Sequence, residues 1–219
     1  RKAALFPQIS SEVELFGEQE RNGEGMHDRL FLLTFDSGPS QVPGTTDWLT
    51  DYLRKQSISG QFFVLGNSVQ VRLDKGGERA LQALYKGQCV GVQGWEYRSH
   101  SHWQAWQDSI LRSVALVKQV LPHNYLAQFR PPYGQRRADS GVFFQGQGMQ
   151  VSLWDIDAQD MAANLSAEQS AQRVLTLMLL WRHGVIKFHD TQDKVRGALP
   201  WLLKATAQSG LGWEDCEVL

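Results

Sequence analysis

Ionisable side chains in this chain cluster where apolar runs stop. Asp36 follows Leu30 to Phe35, Arg130 closes Ala127 to Arg130, Asp155 and Asp157 follow Gln150 to Trp154, and His189 follows Gly184 to Phe188. A short apolar run ended by Gly or Pro reads as a buried strand, so each group would stand at a strand end. A carboxylate there can take a proton, an imidazole can return one, and a guanidinium can orient the carboxylate. Together these are the parts of an amide or ester hydrolysis, which needs a base, an acid and a donor for the oxyanion. His100 and His102 add a His-x-His pair at the start of a helix.

Strand-like runs recur at Leu30 to Phe35, Gln61 to Leu65, Cys89 to Gln93, Ala127 to Arg130, Gln150 to Trp154, Gly184 to Phe188 and Trp213 to Val218. Helical patterns fill the gaps. Trp103, Trp106, Ile110, Val114, Val117 and Leu121 form one apolar stripe at three- and four-residue spacing, and Ser166-Ala-Glu-Gln reads as a capping box opening another helix. Strands alternating with helices predict a mostly parallel α/β sheet, open or closed into a barrel, in which ligands sit at the carboxyl ends of strands. Residues 1–29 read as an extension packing on a domain of residues 30–219.

With 219 residues and 42% hydrophobic content, the chain can bury the core of one domain. A net charge of −1, with Lys and Arg dispersed, gives no footprint for nucleic acid. No apolar run has the length of a membrane-spanning helix. A start at Arg1 reads as a mature form or an excised domain. Cys89 and Cys216, far apart in sequence, read as two free thiols. The 8 Trp and 5 Tyr could stack on sugar faces but are expected mostly to fill the core.

Five segments in order resemble the polysaccharide deacetylase family: Thr34-Phe-Asp-Ser-Gly-Pro-Ser40, Phe62-Phe-Val-Leu-Gly66, Arg130-Pro-Pro-Tyr-Gly134, Trp154-Asp-Ile-Asp-Ala-Gln-Asp-Met161 and Val185-Ile-Lys-Phe-His-Asp190. The resemblance implies an irregular (β/α) barrel of about seven parallel strands, export to the cell envelope, and acetylated polysaccharide or oligosaccharide as substrate. It implies Asp36 as base, Arg130 as its orienting partner, His189 as acid tuned by Asp157 or Asp160, and the Tyr133 N–H as oxyanion donor. Pro132, Tyr133, Trp154 and Lys187 would then meet the substrate.

The family's divalent metal, usually zinc, is held by an Asp where this chain has Ser37 and by a His-x-x-x-His pair. Read forward from the preceding strand, that pair falls on Gln93 and Tyr97. Read backward from the Trp103/Trp106 stripe, it falls on Glu96 and His100, and His100 is the favoured surviving ligand beside Glu96 and Ser37. A hydroxyl is a poor zinc ligand. Lys187 stands where the family has an apolar residue and could repel a metal or replace its charge. The two resulting expectations are a deacetylase removing acetyl groups from amino-sugar polymers and a silent domain that binds a glycan or an envelope partner.

Overall fold

A computed structural model describes residues 14–218 of the chain. Nine strands form one sheet: β1 (Glu20–Arg21), β2 (Leu30–Asp36), β3 (Gln61–Val64), β4 (Cys89–Val92), β5 (Tyr125–Phe129), β6 (Gln150–Ser152), β7 (Ile156–Asp157), β8 (Gly184–His189) and β9 (Gly212–Trp213). Their order is β1-β6-β5-β4-β3-β2-β8-β7, with β9 also pairing β2. All pairings are parallel. The carboxyl ends of the strands therefore share one rim, as the alternating pattern predicts.

Parallel strands covered on both faces need continuous apolar sequence rather than alternation. β2 supplies it, with Phe31, Leu32, Leu33 and Phe35 all buried. Phe35 stacks on Phe62 of β3 at 4.9 Å and on Phe188 of β8 at 6.1 Å, which locks the three central strands in register. The connecting helices are α1 (Thr45–Lys55), α2 (Gly66–Tyr85), α3 (Trp106–Val120), α4 (Gly141–Gly146), α5 (Ala167–Trp181) and α6 (Lys194–Thr206). The expected capping box is present at α5: the Ser166 hydroxyl accepts from the Gln169 N–H, and the Gln169 side chain accepts from the Ser166 N–H at 2.8 Å. Trp103 stands outside α3, and its ring packs against His100 instead.

Part of the expected N-terminal extension belongs to the sheet itself. β1 pairs with β6, joining Glu20 to Val151 and Arg21 to Ser152. Residues 1–13 lie outside the described residues.

The cysteines correct the free-thiol expectation, because Cys89 and Cys216 form a disulfide across a sequence separation of 127. The bond ties the start of β4 to the C-terminal segment, whose backbone also docks through Cys216 N–H to Ser59 Oγ at 3.1 Å. Closing so long a loop is worth about 4–5 kcal/mol in the chain-entropy account. Cys216→Ser is therefore expected to lower the unfolding free energy by about that amount in denaturant titrations, and a reductant should do the same to the wild type. An unchanged midpoint would mean that the C-terminal tie contributes nothing.

Candidate active site

β2, β4, β5 and β8 each deliver a polar side chain to the shared rim. Asp36 ends β2, 2% exposed, and its register partner across β8 is His189. Arg130, immediately after β5, has no exposure. Its Nη1 donates to Asp36 Oδ1 at 3.0 Å and to Thr34 Oγ1 at 2.6 Å, while Nε and Nη2 donate to the carbonyls of Ser152 and Leu153 at 3.0 Å. A buried guanidinium is tolerated only when its donors are used in this way. Burial lowers the Arg130 pKa, and the Asp36 charge acts against that shift.

His189 is held by Asp160 at two points: its backbone N–H donates to Oδ2 at 2.6 Å, and Nδ1 lies 2.8 Å from Oδ1. With Nδ1–H on a carboxylate, Nε2 is the nitrogen left for proton transfer. Burial pulls the His189 pKa down, but the Asp160 hydrogen bond and the charges of Asp160 and Asp36 outweigh it, and the value is raised; Lys187 opposes the rise. The sign follows: stability from this pair is fully present below the ordinary histidine pKa of about 6.5 and is lost as pH rises through the raised value.

Strand alternation puts Lys187 on the His189 face, and the ammonium does point inward. It lies 3.3 Å from Asp157 Oδ2 and 3.8 Å from the Trp154 ring centre, with the residue 8% exposed. Its ion-pair partner is Asp157, not Asp36. Asp157 thus engages Lys187 and Asp160 engages His189, which divides the two roles that sequence alone left open. Asp155 serves the backbone, accepting from the N–H groups of Gly23 and Val185 at 2.8 and 2.7 Å.

The side chains that the structure brings beside Ser37 and Asp36 are those of the forward register. The Ser37 hydroxyl donates to Gln93 Oε1 at 2.9 Å, and Gln93 Nε2 donates to Asp36 Oδ2 at 3.3 Å. Tyr97, four residues further along, places its ring 4.7 Å from that of Tyr133, and its hydroxyl pKa is pushed up to about 12, by burial first and then by the Asp36 charge. The phenol therefore stays neutral.

The metal set expected from the backward register, Ser37 with Glu96 and His100, is not assembled. His100 is buried between Trp103 and Phe129. Its Nδ1 faces the Arg98 carbonyl at 2.7 Å and its Nε2 the Ser109 hydroxyl at 2.9 Å. Because the Arg98 carbonyl can only accept, Nδ1 carries the ring proton, and Nε2 accepts from the Ser109 hydroxyl, which closes the lone pair a metal would need. Burial pushes the His100 pKa down to about 4. Gly94, at φ 95°, makes room for this ring, since a Cβ there would lie 2.5 Å from Nε2. Glu96 is half exposed and pairs with Arg98 at 3.7 Å. Among the described residues no three His, Cys, Asp or Glu side chains converge to hold a metal. Ser37, Gln93 and Tyr97 are neutral hydrogen-bonding groups, and they do not fit zinc, which takes imidazole, thiolate or carboxylate.

Asp190 is a site residue that sequence reading missed. It is buried behind Asp36 and accepts from Thr46 Oγ1 at 2.9 Å, while its Oδ1 has no partner. Burial pushes its pKa up to about 7. The only sequence signal was an Asp directly after His189.

The parallel β/α fold thus carries an Asp–Arg pair and a His–Asp pair at its strand ends. The chain belongs to the polysaccharide deacetylase family, whose model matches residues 23–151. It is 28% identical over 137 residues to the peptidoglycan-N-acetylmuramic acid deacetylase PdaC of Bacillus subtilis, a match covering 61% of this chain and 27% of that protein. It is 28% identical over 135 residues to the peptidoglycan-N-acetylglucosamine deacetylase PgdA of Listeria monocytogenes, with the same shares covered. The chain thus spans about a quarter of the length of these relatives. Among solved structures, a CE4 family pseudoenzyme from Bacillus anthracis superposes with a TM-score of 0.75 at 16% identity, covering 89% of this chain and 66% of that one. That likeness is one of fold.

Asp160→Asn should drop the His189 pKa below the ordinary value, because burial stays while its strongest opposing partner goes. NMR titration of the imidazole checks this. A pKa that stays raised would make Asp36 the dominant partner.

Proposed function

We propose that this domain engages acetylated amino-sugar polymers of the peptidoglycan or chitin type at a cell envelope, on a deacetylase scaffold that has given up metal-activated hydrolysis. The observation carrying this reading is the Ser37–Gln93–Asp36 hydrogen-bond chain, with a neutral Tyr97 beside it, at the positions the resemblance assigns to the family's metal ligands. Export is supported by the Cys89–Cys216 disulfide, since such bonds persist in oxidising compartments. No helix among the described residues is long and apolar enough to cross a membrane.

Magnitudes favour the silent reading. A catalytic metal brings the pKa of bound water from about 15.7 to about 7, which corresponds to about 12 kcal/mol of deprotonation free energy. A positioned general base supplies about 10²–10⁴-fold, or about 3–5 kcal/mol. Asp36 alone therefore leaves most of that deficit in place. A second reading, slow hydrolysis without metal, is favoured by the intact pairs. Asp36 would take the proton of an attacking water, and His189 would protonate the departing amine as its bond to the acyl carbon breaks.

Acetate release from N-acetylchitooligosaccharides and peptidoglycan separates the two. The wild type is expected to release none with zinc added, and Ser37→Asp with Gln93→His and Tyr97→His is expected to gain both zinc binding and release. Zinc-dependent release by the wild type would overturn the proposal. Release insensitive to a chelator and abolished by Asp36→Asn would establish the second reading.

A further inference from the structure

The loop that follows β5, residues 130–136, is pinned at both ends by buried guanidinium groups. Arg130 fixes the first end against Thr34 and Asp36. Arg136 fixes the last against β1: its Nε donates to Glu20 Oε1 at 2.7 Å and its Nη2 to Glu20 Oε2 at 2.5 Å, a bidentate pair whose side chains are 6% and 5% exposed. Further donors are used as well. Nη1 reaches the Gly134 carbonyl at 3.1 Å and Nη2 the Glu14 carbonyl at 2.6 Å, while the Phe16 ring covers the guanidinium at 3.9 Å. Glu20 Oε2 also accepts from the Phe16 N–H at 2.6 Å. Glu20 precedes the residues matched by the family model, which begin at 23.

Between the two anchors the backbone has little freedom. Pro131 and Pro132 have φ fixed by their rings, and the Gly134 and Gln135 N–H groups donate back to the Pro131 and Pro132 carbonyls at 3.0 and 3.1 Å. Tyr133 and Gly134 complete the turn at φ 60° and 68°. Glycine takes that conformation freely, whereas a tyrosine is strained in it. Strain of this kind persists only where the surroundings over-determine the backbone. In this conformation the Tyr133 ring lies 4.7 Å from that of Tyr97.

We propose that Glu20 and Arg136 are positioning residues for the strand-end site: their ion pair closes the 130–136 loop tightly enough to keep Tyr133 in the left-handed conformation, and so keeps its ring on Tyr97. They act through Tyr133. Without the pair, Tyr133 returns to an ordinary negative φ and its ring leaves Tyr97. The segment from Glu14 to Arg21, which sequence alone reads as part of an extension, is then part of the construction of the site. The proposal concerns the shape of the site, so it stands whether the domain binds a glycan silently or hydrolyses one slowly.

Ala and Gly at position 133 read the strain directly, since both remove the ring and only Gly is at ease at positive φ. Tyr133→Gly and Tyr133→Ala are each made in the wild type and in Glu20→Gln, and denaturant titrations compare their unfolding constants. The expected result is a Gly variant about ten-fold more stable than the Ala variant in the wild-type background, and no advantage for Gly in the Glu20→Gln background. A second readout leaves Tyr133 in place: the nuclear Overhauser contact between the Tyr97 and Tyr133 rings should be lost in Glu20→Gln and retained in Asp28→Asn, which breaks the exposed Asp28–Arg182 pair instead. Glu20→Gln leaves a buried guanidinium uncompensated, so Glu20→Gln combined with Arg136→Met takes its place in both measurements if circular dichroism shows the single variant unfolded. A Gly advantage that survives the loss of the pair, the lack of one in the wild-type background, or a ring contact that persists without the pair would each overturn the proposal.

Discussion

A guanidinium without solvent contact sets the terms for the whole rim of this sheet. Removing Arg130 from water costs several kcal/mol even after relaxation, and only a full set of acceptors offsets it. The chain supplies them from two elements: Thr34 and Asp36 on β2, and the carbonyls of Ser152 and Leu153 at the end of β6. Phe63 packs against the guanidinium face at 4.2 Å. Asp36 is thereby fixed across from His189, and the spacing of β2, β5 and β6 follows from the same bonds. A catalytic carboxylate can be retained for this structural reason alone, so its presence is weaker evidence of activity than it first looks.

Around that fixed pair the nearest hydrogen-bonding side chains are neutral. A metal would hold three anionic or imidazole ligands through its own charge. Here a hydroxyl and a carboxamide satisfy one another and Asp36 directly, beside a neutral phenol. Polar groups that find partners without an ion gain nothing by admitting one, and displacing them would leave buried donors unpaired. Lys187 completes the change, placing an ammonium against Trp154 and Asp157 where the resemblance leads one to expect an apolar wall.

Much of this was legible in the sequence because it is written locally. β2, β3, β4 and β8 are short, largely apolar runs, and Ser166 to Gln169 announces the start of α5. Two-residue strands such as β1 and β7 carry no period and were not seen. The stretch from Gln93 to Ala105 has no periodicity either, so two registers for the metal pair could be drawn and His100 was favoured; the contact between Ser37 and Gln93 emerges only once β2 and β4 are set in space. The same holds for Cys89 with Cys216, and for Glu20 with Arg136. Partners distant in sequence leave no local trace.

Ser37 and Gln93 close a neutral hydrogen-bond chain onto Asp36, beside a neutral Tyr97, where the family resemblance places a metal. Crystals of the wild-type protein grown in excess zinc, with anomalous diffraction collected at the zinc edge, test it most directly. The account predicts no anomalous peak beside Ser37 and an intact hydrogen bond from Ser37 to Gln93. A peak within coordination distance of Asp36, Ser37 or Gln93, with that bond broken, would contradict it.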